Sequence, residues 1–229
     1  TPVDTLLHAR WILPVTEGDP CLPNHSIAIH EDRIVELLPT QSAKNRYRAT
    51  VEQDYSQHAL IPGLINAHTH SPMTLLRGLA DDLPLMTWLH EHIWPAEGRW
   101  VDTDFVADGT RLAITEMLRG GVTCFNDMYF FPDVTARTAA HCGMRASVGL
   151  IVIDFPTVWA NDADEYISRG LAVHDQFRSD PLIKTMFAPH APYTVSDQPL
   201  EHIRVLADEL DIGVHMHVHE TAFEVASAV

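Results

Sequence analysis

Histidines set two residues apart are the first chemical signal in this sequence. His68-Thr69-His70 follows the apolar run 59–67. In an extended chain, residues two apart face the same side, so both imidazoles can point into one site. That is a chelating arrangement for Zn²⁺ or another borderline metal, although an H-x-H pair by itself is a weak signal. His215-Met216-His217-Val218-His219-Glu220 repeats the spacing. Period two places His215, His217 and His219 on one strand face, where three imidazoles are costly without partners for their nitrogens. Singly, each reads as a hydrogen-bonded core residue; as a set they point to metal. His217 and Glu220 form H-x-x-E across the strand end, which can set a ligand and an acid–base carboxylate around one water. Pro189-His190-Ala191-Pro192 stiffens a loop around one further histidine. A plain loop residue is the simpler reading, but the end of a strand favours a substrate contact. Asn126-Asp127 reads more readily as a turn or helix cap than as support for a site.

Positioning these groups requires particular elements. Residues 5–13, 26–29 and 33–38 read as short strands, with His30-Glu31-Asp32 as a hairpin turn and several prolines between. Residues 1–59 are therefore expected to form a small, mostly antiparallel β domain. From residue 60 the pattern changes. The run 59–67 suits a buried strand. Helices are expected over 102–119, 132–141, 162–177 and 199–210, with another from 222. Strands are expected over 122–125, 146–153, 183–188 and 212–219. Strict alternation argues for a parallel sheet with crossover helices. At roughly 31 residues per unit of a (β/α)8 barrel, residues 60–229 hold about five units. All three histidine sites then fall at the carboxyl ends of strands, where such folds place their chemistry. The aromatic sets Leu85, Met86, Trp88, Leu89, Ile93, Trp94 and Met128, Tyr129, Phe130, Phe131 suit either a helix face or a pocket wall.

Composition excludes several roles. Thirty-one acidic residues against 15 basic ones leave a net charge of -16, with no basic cluster. Nucleic acid and anionic membranes are poor partners for such a chain. No apolar run approaches the roughly 18 residues of a membrane span, and residues 1–4 lack the features of a signal peptide. Cys21, Cys124 and Cys142 are an odd number, far apart, which fits a reducing, cytoplasmic setting. Oligomeric state is open, a homo-oligomer included.

Pro62-Gly63-Leu64-Ile65-Asn66-Ala67-His68-Thr69-His70 resembles the first-strand signature of the amidohydrolase superfamily. Ser71 to Gly78, Ala80-Asp81-Asp82-Leu83-Pro84, Trp88-Leu89 and Ile93-Trp94-Pro95-Ala96-Glu97 are similar to the 5′-methylthioadenosine/S-adenosylhomocysteine deaminases, in the branch shared with s-triazine chlorohydrolases. Gly121-Val122-Thr123, Asn126-Asp127-Met128-Tyr129, Pro189-His190-Ala191-Pro192-Tyr193 and His217-Val218-His219-Glu220-Thr221 match in order. The resemblance implies an α/β protein with a (β/α)8 TIM-type amidohydrolase barrel. Residues 60–229 would be its first five units and residues 1–59 part of a small β-sandwich.

It further implies that His68, His70 and His217 bind one Zn²⁺ per subunit, with Fe²⁺ or Mn²⁺ as alternatives. Glu220 becomes the general acid–base, His190 a contact to the substrate base, and Glu97 the acceptor of ribose hydroxyls. The expected reaction is hydrolytic deamination of an adenosine-type nucleoside, a small-molecule substrate, to its inosine analogue. The family's sixth-strand histidine and eighth-strand aspartate would lie beyond Val229, so residues 1–229 alone are expected to be inactive. Two rival readings stand beside this one. The first is an amino- or chlorohydrolase of triazines or other heterocycles, and Glu97 discriminates it, since a diol acceptor matters to nucleosides only. The second is a non-catalytic scaffold of the same fold, which would be metal-free. A histidine-rich metal store is disfavoured, because the histidines sit at strand ends and not in tracts.

Overall fold

Alternating apolar and polar residues at the start of the chain build a single twisted sheet. The computed structural model describes residues 1–18 and 21–227. Two compact units are present, Thr1–Gly63 and Leu64–Val229. In the first, β1 (Pro2–Ile12), β2 (Leu22–His30) and β3 (Arg33–Pro39) form an antiparallel meander. Glu31 turns between β2 and β3 with a φ of 52°. Helix α1 (Thr40–Arg46) then carries the chain across to β4 (Arg48–Leu60), which pairs in parallel with β1. The strand order is β3-β2-β1-β4. Val3, Leu6, Ala28, Leu38, Ala43 and Tyr47 make its small core.

The second unit follows the expected alternation. Strands β5 (Leu64–Thr69), β6 (Val122–Met128), β7 (Arg145–Val152) and β8 (Ile183–Pro189) form a parallel sheet in that order. Between β5 and β6 lie a 3₁₀ turn (Ser71–Leu76), α2 (Leu85–Trp88), a π-helical turn (Leu89–Ile93), α3 (Trp94–Trp100) and α4 (Thr103–Arg119). Helices α5 (Pro132–His141), α6 (Ala163–Phe177), α7 (Asp197–Leu210) and α8 (Ala222–Ser227) follow. Local chemistry sets the ends of the long helices. Asp102 caps α4 by accepting from the Phe105 N–H, and Asp162 caps α6 through the Glu165 N–H. Gly121, with a φ of 82°, turns the chain from α4 into β6. Strand β7 is buried from Val148 to Val152 on both faces, as a parallel strand covered by helices must be. Phe125, Leu150, Tyr166, Ile183 and Phe187 centre this larger core.

Two expected strands are corrected. The apolar run 59–67 is not one strand: β4 ends at Leu60 and β5 begins at Leu64. Pro62 between them lacks an N–H to donate, and Gly63 follows it. Residues 212–219 form no regular strand either. The segment bridges β8 only at Phe187↔Val214. It is tied by Phe187 N–H to Gly213 O (3.0 Å), His215 N–H to Phe187 O (2.9 Å) and His217 N–H to His190 O (3.1 Å). His219 has a left-handed φ of 57°, which ends the extended run.

Candidate metal centre

Strand β5 carries His68 near its end, His70 follows the strand directly, and the extended segment after α7 carries His217. The fold brings them together. The Nε2 of His217 lies 3.2 Å from Nε2 of His68 and 3.3 Å from Nε2 of His70. The three ligand atoms fall within 4.8 Å of one another. Backbone carbonyls fix two of the rings. His70 Nδ1 contacts the Met128 carbonyl at 2.6 Å, and His217 Nδ1 contacts the His190 carbonyl at 2.8 Å. A carbonyl only accepts, so Nδ1 donates in both, and the neutral ring then has a lone pair and no proton at Nε2. Burial, followed by the neighbouring histidines, pushes His70 down to about 4, so at pH 7 it is a neutral ring.

This arrangement tests well against a metal ion. With Nδ1 of each ring donating to a carbonyl, a cation between His70 and His217 gives both Nε2 lone pairs a partner at this 3.3 Å approach. Three nitrogens about 2.0–2.1 Å from one tetrahedral zinc lie roughly 3.3–3.4 Å apart, close to the 3.2 and 3.3 Å that separate His217 from the other two. Histidines oriented through Nδ1 to a carbonyl are the usual support for a ligating Nε2.

The expected third histidine of the strand face is absent from this group. The left-handed turn at His219 breaks the period-two alternation, and its side chain is exposed. His215 does lie inward but faces Asn126, whose Nδ2 is 2.5 Å from its Nδ1. Burial, with help from His217 and His68, pushes His215 down to about 4. A glycine makes room for it: a Cβ on Gly149 would sit 2.8 Å from His215 Nε2 and 2.7 Å from the Asp127 carbonyl oxygen.

A cavity of about 360 Å³ opens beside the triad. His70, His217, His190, Glu220 and Glu97 all line it. His190 follows β8, and its Nδ1 is 2.9 Å from Thr194 Oγ1. That hydroxyl spends its own proton on the Ala191 carbonyl at 3.1 Å, so it accepts from Nδ1 and leaves Nε2 of His190 as an acceptor. Burial, then His217 and His70, drives His190 down to about 3. Glu220 stands at the exposed rim, and Tyr193 Oη donates to its Oε2 at 3.1 Å. Glu97, on α3, is 8% exposed and accepts a 2.7 Å bond from Tyr129 Oη. Burial pushes its carboxyl up to about 7, against the opposing effect of Tyr129.

Leu85, Trp88, Leu89, Ile93 and Trp94 prove to be cavity wall, as do Met128, Tyr129 and Phe130. Met86 and Phe131 do not line it. The sequence did not show that Tyr129 and Tyr193 hold the two cavity carboxylates. The signal available was position alone, since each lies just past a strand's carboxyl end. Asn126 and Asp127 are not a turn or cap; both lie within β6.

The profile of the amidohydrolase family matches residues 59–229. The chain is 49% identical over 229 residues to a 5-methylthioadenosine/S-adenosylhomocysteine deaminase of Saccharophagus degradans, covering 100% of this chain and 51% of that one. A crystal structure of an adenosine deaminase from Xanthomonas campestris with bound zinc superposes with a TM-score of 0.96 at 54% identity, over 100% of this chain and 52% of the other. An atrazine chlorohydrolase from Arthrobacter aurescens complexed with zinc gives a TM-score of 0.83 at 19% identity, over 94% and 53%, a likeness of fold alone. The chain thus spans about half the length of the curated relatives it matches.

Proposed function

The chain belongs to the amidohydrolase family, and from that premise we propose that it forms part of a zinc-dependent deaminase of adenosine-type nucleosides. The reaction replaces the exocyclic amine of the purine with oxygen and releases ammonia. One observation carries the reading: three Nε2 atoms converge beside a cavity that two of the rings, His70 and His217, line together with Glu220, His190 and the buried Glu97. The relatives named as deaminases of methylthioadenosine, adenosylhomocysteine and adenosine support the substrate class.

His68, His70 and His217 would hold one zinc ion, a nitrogen set that suits this metal. The ion, when bound, supplies Lewis acidity and lowers the pKa of water in contact with it. Glu220 takes a proton from the attacking water and delivers one to the adjacent ring nitrogen, which makes the amine-bearing carbon electrophilic. Tyr193 holds one oxygen of Glu220, leaving the other for that transfer. His190 meets the base near the reacting carbon through its free Nε2. Glu97 accepts from the ribose hydroxyls; one of its oxygens is already engaged by Tyr129. The apolar walls around Trp88, Ile93 and Phe155 keep bulk water from the base.

A net charge of -16 and a cavity of this size favour a free nucleoside over a nucleic acid. No helix among the described residues is long and apolar enough to cross a membrane. The free cysteines support a cytoplasmic setting.

Ammonia release from adenosine, 5′-methylthioadenosine and S-adenosylhomocysteine tests the activity. Glu220→Gln is expected to retain zinc while kcat falls by roughly 10²–10⁴-fold, the usual worth of a general acid–base. Turnover close to wild type in that variant would contradict the assignment.

A further inference from the structure

The carboxyl end of β6 contributes no ligand to the triad, yet it touches the support of all three. Its three last residues act in turn. Asn126 Nδ2 donates to the Ala67 carbonyl at 3.2 Å, immediately before His68. The same Nδ2 meets Nδ1 of His215 at 2.5 Å, two residues before His217. Both hydrogens of the amide are thereby used, one on each flanking segment. Asp127 Oδ1 accepts the Ser71 N–H at 2.6 Å, immediately after His70. The Met128 carbonyl accepts from His70 Nδ1 at 2.6 Å.

Asp127 is the more telling member. It is 1% exposed, and its Oδ2 has no hydrogen-bond partner among the described residues. A carboxylate buried with one oxygen unsatisfied costs stability, so a packing role alone is a poor reason for an acid here. Ser71, which it holds, is equally buried and opens the 3₁₀ turn after β5. A strand normally sends alternate side chains to opposite faces. Asn126 and Asp127 use that alternation to grip different segments, one towards residues 67 and 215, the other towards residue 71.

We propose that Asn126-Asp127-Met128 is a positioning bracket that sets the spacing of His68, His70 and His217 and so determines the zinc affinity of the site. The inference rests on the reading of those histidines as zinc ligands. Asn126 and Asp127 are positioning residues: neither has an atom at the converging nitrogens, and both act through the backbone or ring beside a ligand. Outer supports of this kind are typically worth 10–100-fold in metal affinity.

The test is Zn²⁺ affinity of the full chain, measured by competition with a chelating indicator, beside the melting temperature of the metal-free protein. Asn126→Ala and Asp127→Ala are expected to weaken Zn²⁺ binding by roughly 10–100-fold each. Asp127→Asn keeps an acceptor for the Ser71 N–H and is expected to recover most of that loss. A purely structural role would lower the metal-free melting temperature and leave Zn²⁺ affinity unchanged; that result overturns the proposal. If Asp127→Ala does not fold, the partly exposed Asn126→Ala decides alone by the same two readouts. Wild-type chain that binds Zn²⁺ no better than His217→Ala would remove the ligand reading instead. Wild-type chain that binds well, with Asn126→Ala unchanged, removes only the bracket.

Discussion

Glu97 shows how one buried carboxyl ties function to stability. It faces the cavity, is almost fully buried and has a single hydroxyl partner in Tyr129. Burial lifts it from 4.5 to about 7. Between those values the folded protein keeps the carboxyl protonated while the unfolded chain has released the proton. Folding therefore takes up a proton, and the associated stability is full below about 4.5 and is lost as pH rises through about 7. Asp127 is buried and lifted to about 7 as well, and His70, His190 and His215 are lowered, so the bare pH profile of the wild type mixes several groups. A difference measurement separates them. The melting temperature of the wild type is expected to fall relative to Glu97→Gln between pH 5 and pH 8. A constant gap across that range would mean that Glu97 is not raised. At this scale the sequence pointed to candidate ligands and was silent about the groups that hold them. Residue type and spacing flagged His68, His70 and the set His215, His217 and His219 as candidates, and only the family resemblance singled out His217 from that set. Tyr129, Tyr193 and Asn126 carry ordinary residue types, and only the fold reveals what they touch.

Elements differed in how readily they could be read. Helix α4 was legible because Asp102 caps it and Gly120-Gly121 stops it. Strand β4 was not, since RATVEQDYSQHAL has little apolar alternation and most of it is exposed; its pairing with β1 defines it. Helix α1, a single short crossover, was also unassigned. The segment 212–219 reads as a strand from its alternation, but one-sided bonding to β8 and the turn at His219 leave it irregular. One contact between elements gives a sharp test. Helix α4 meets the 3₁₀ turn after β5 at Gly109, where a Cβ would lie 2.5 Å from the Pro72 carbonyl oxygen and 2.8 Å from its Cα. Alanine is the better helix former by about 0.8–1.0 kcal/mol. The clash is with backbone, which cannot rotate away, and overpacking costs roughly 1–3 kcal/mol. Gly109→Ala is thus expected to destabilise the protein in a denaturant titration. A gain in stability would show that helix and turn are not in close contact.

Across the whole molecule, the proposed metal ligands and acid–base group, with the cavity, all belong to Leu64–Val229, while Thr1–Gly63 has its own core. Leu6 is 1% exposed in that small core. Leu6→Ala is expected to cost about 2–5 kcal/mol of stability in the first unit. Zinc affinity, set by residues of the second, should be unchanged when read by chelator competition, and a parallel loss of affinity would contradict the division of labour. A parallel sheet with crossover helices was legible from alternation, and β5, β6, β7 and β8 with their three crossovers form it. The small unit's parallel β1–β4 pair was not, because nothing local distinguishes parallel from antiparallel partners. The proposed function requires a single ion held among three rings of the larger unit. Anomalous diffraction at the zinc edge, from crystals of the protein loaded with one equivalent of Zn²⁺, tests this directly. The prediction is one peak in contact with Nε2 of His68, His70 and His217. A peak elsewhere, or none at this triad, would contradict the account.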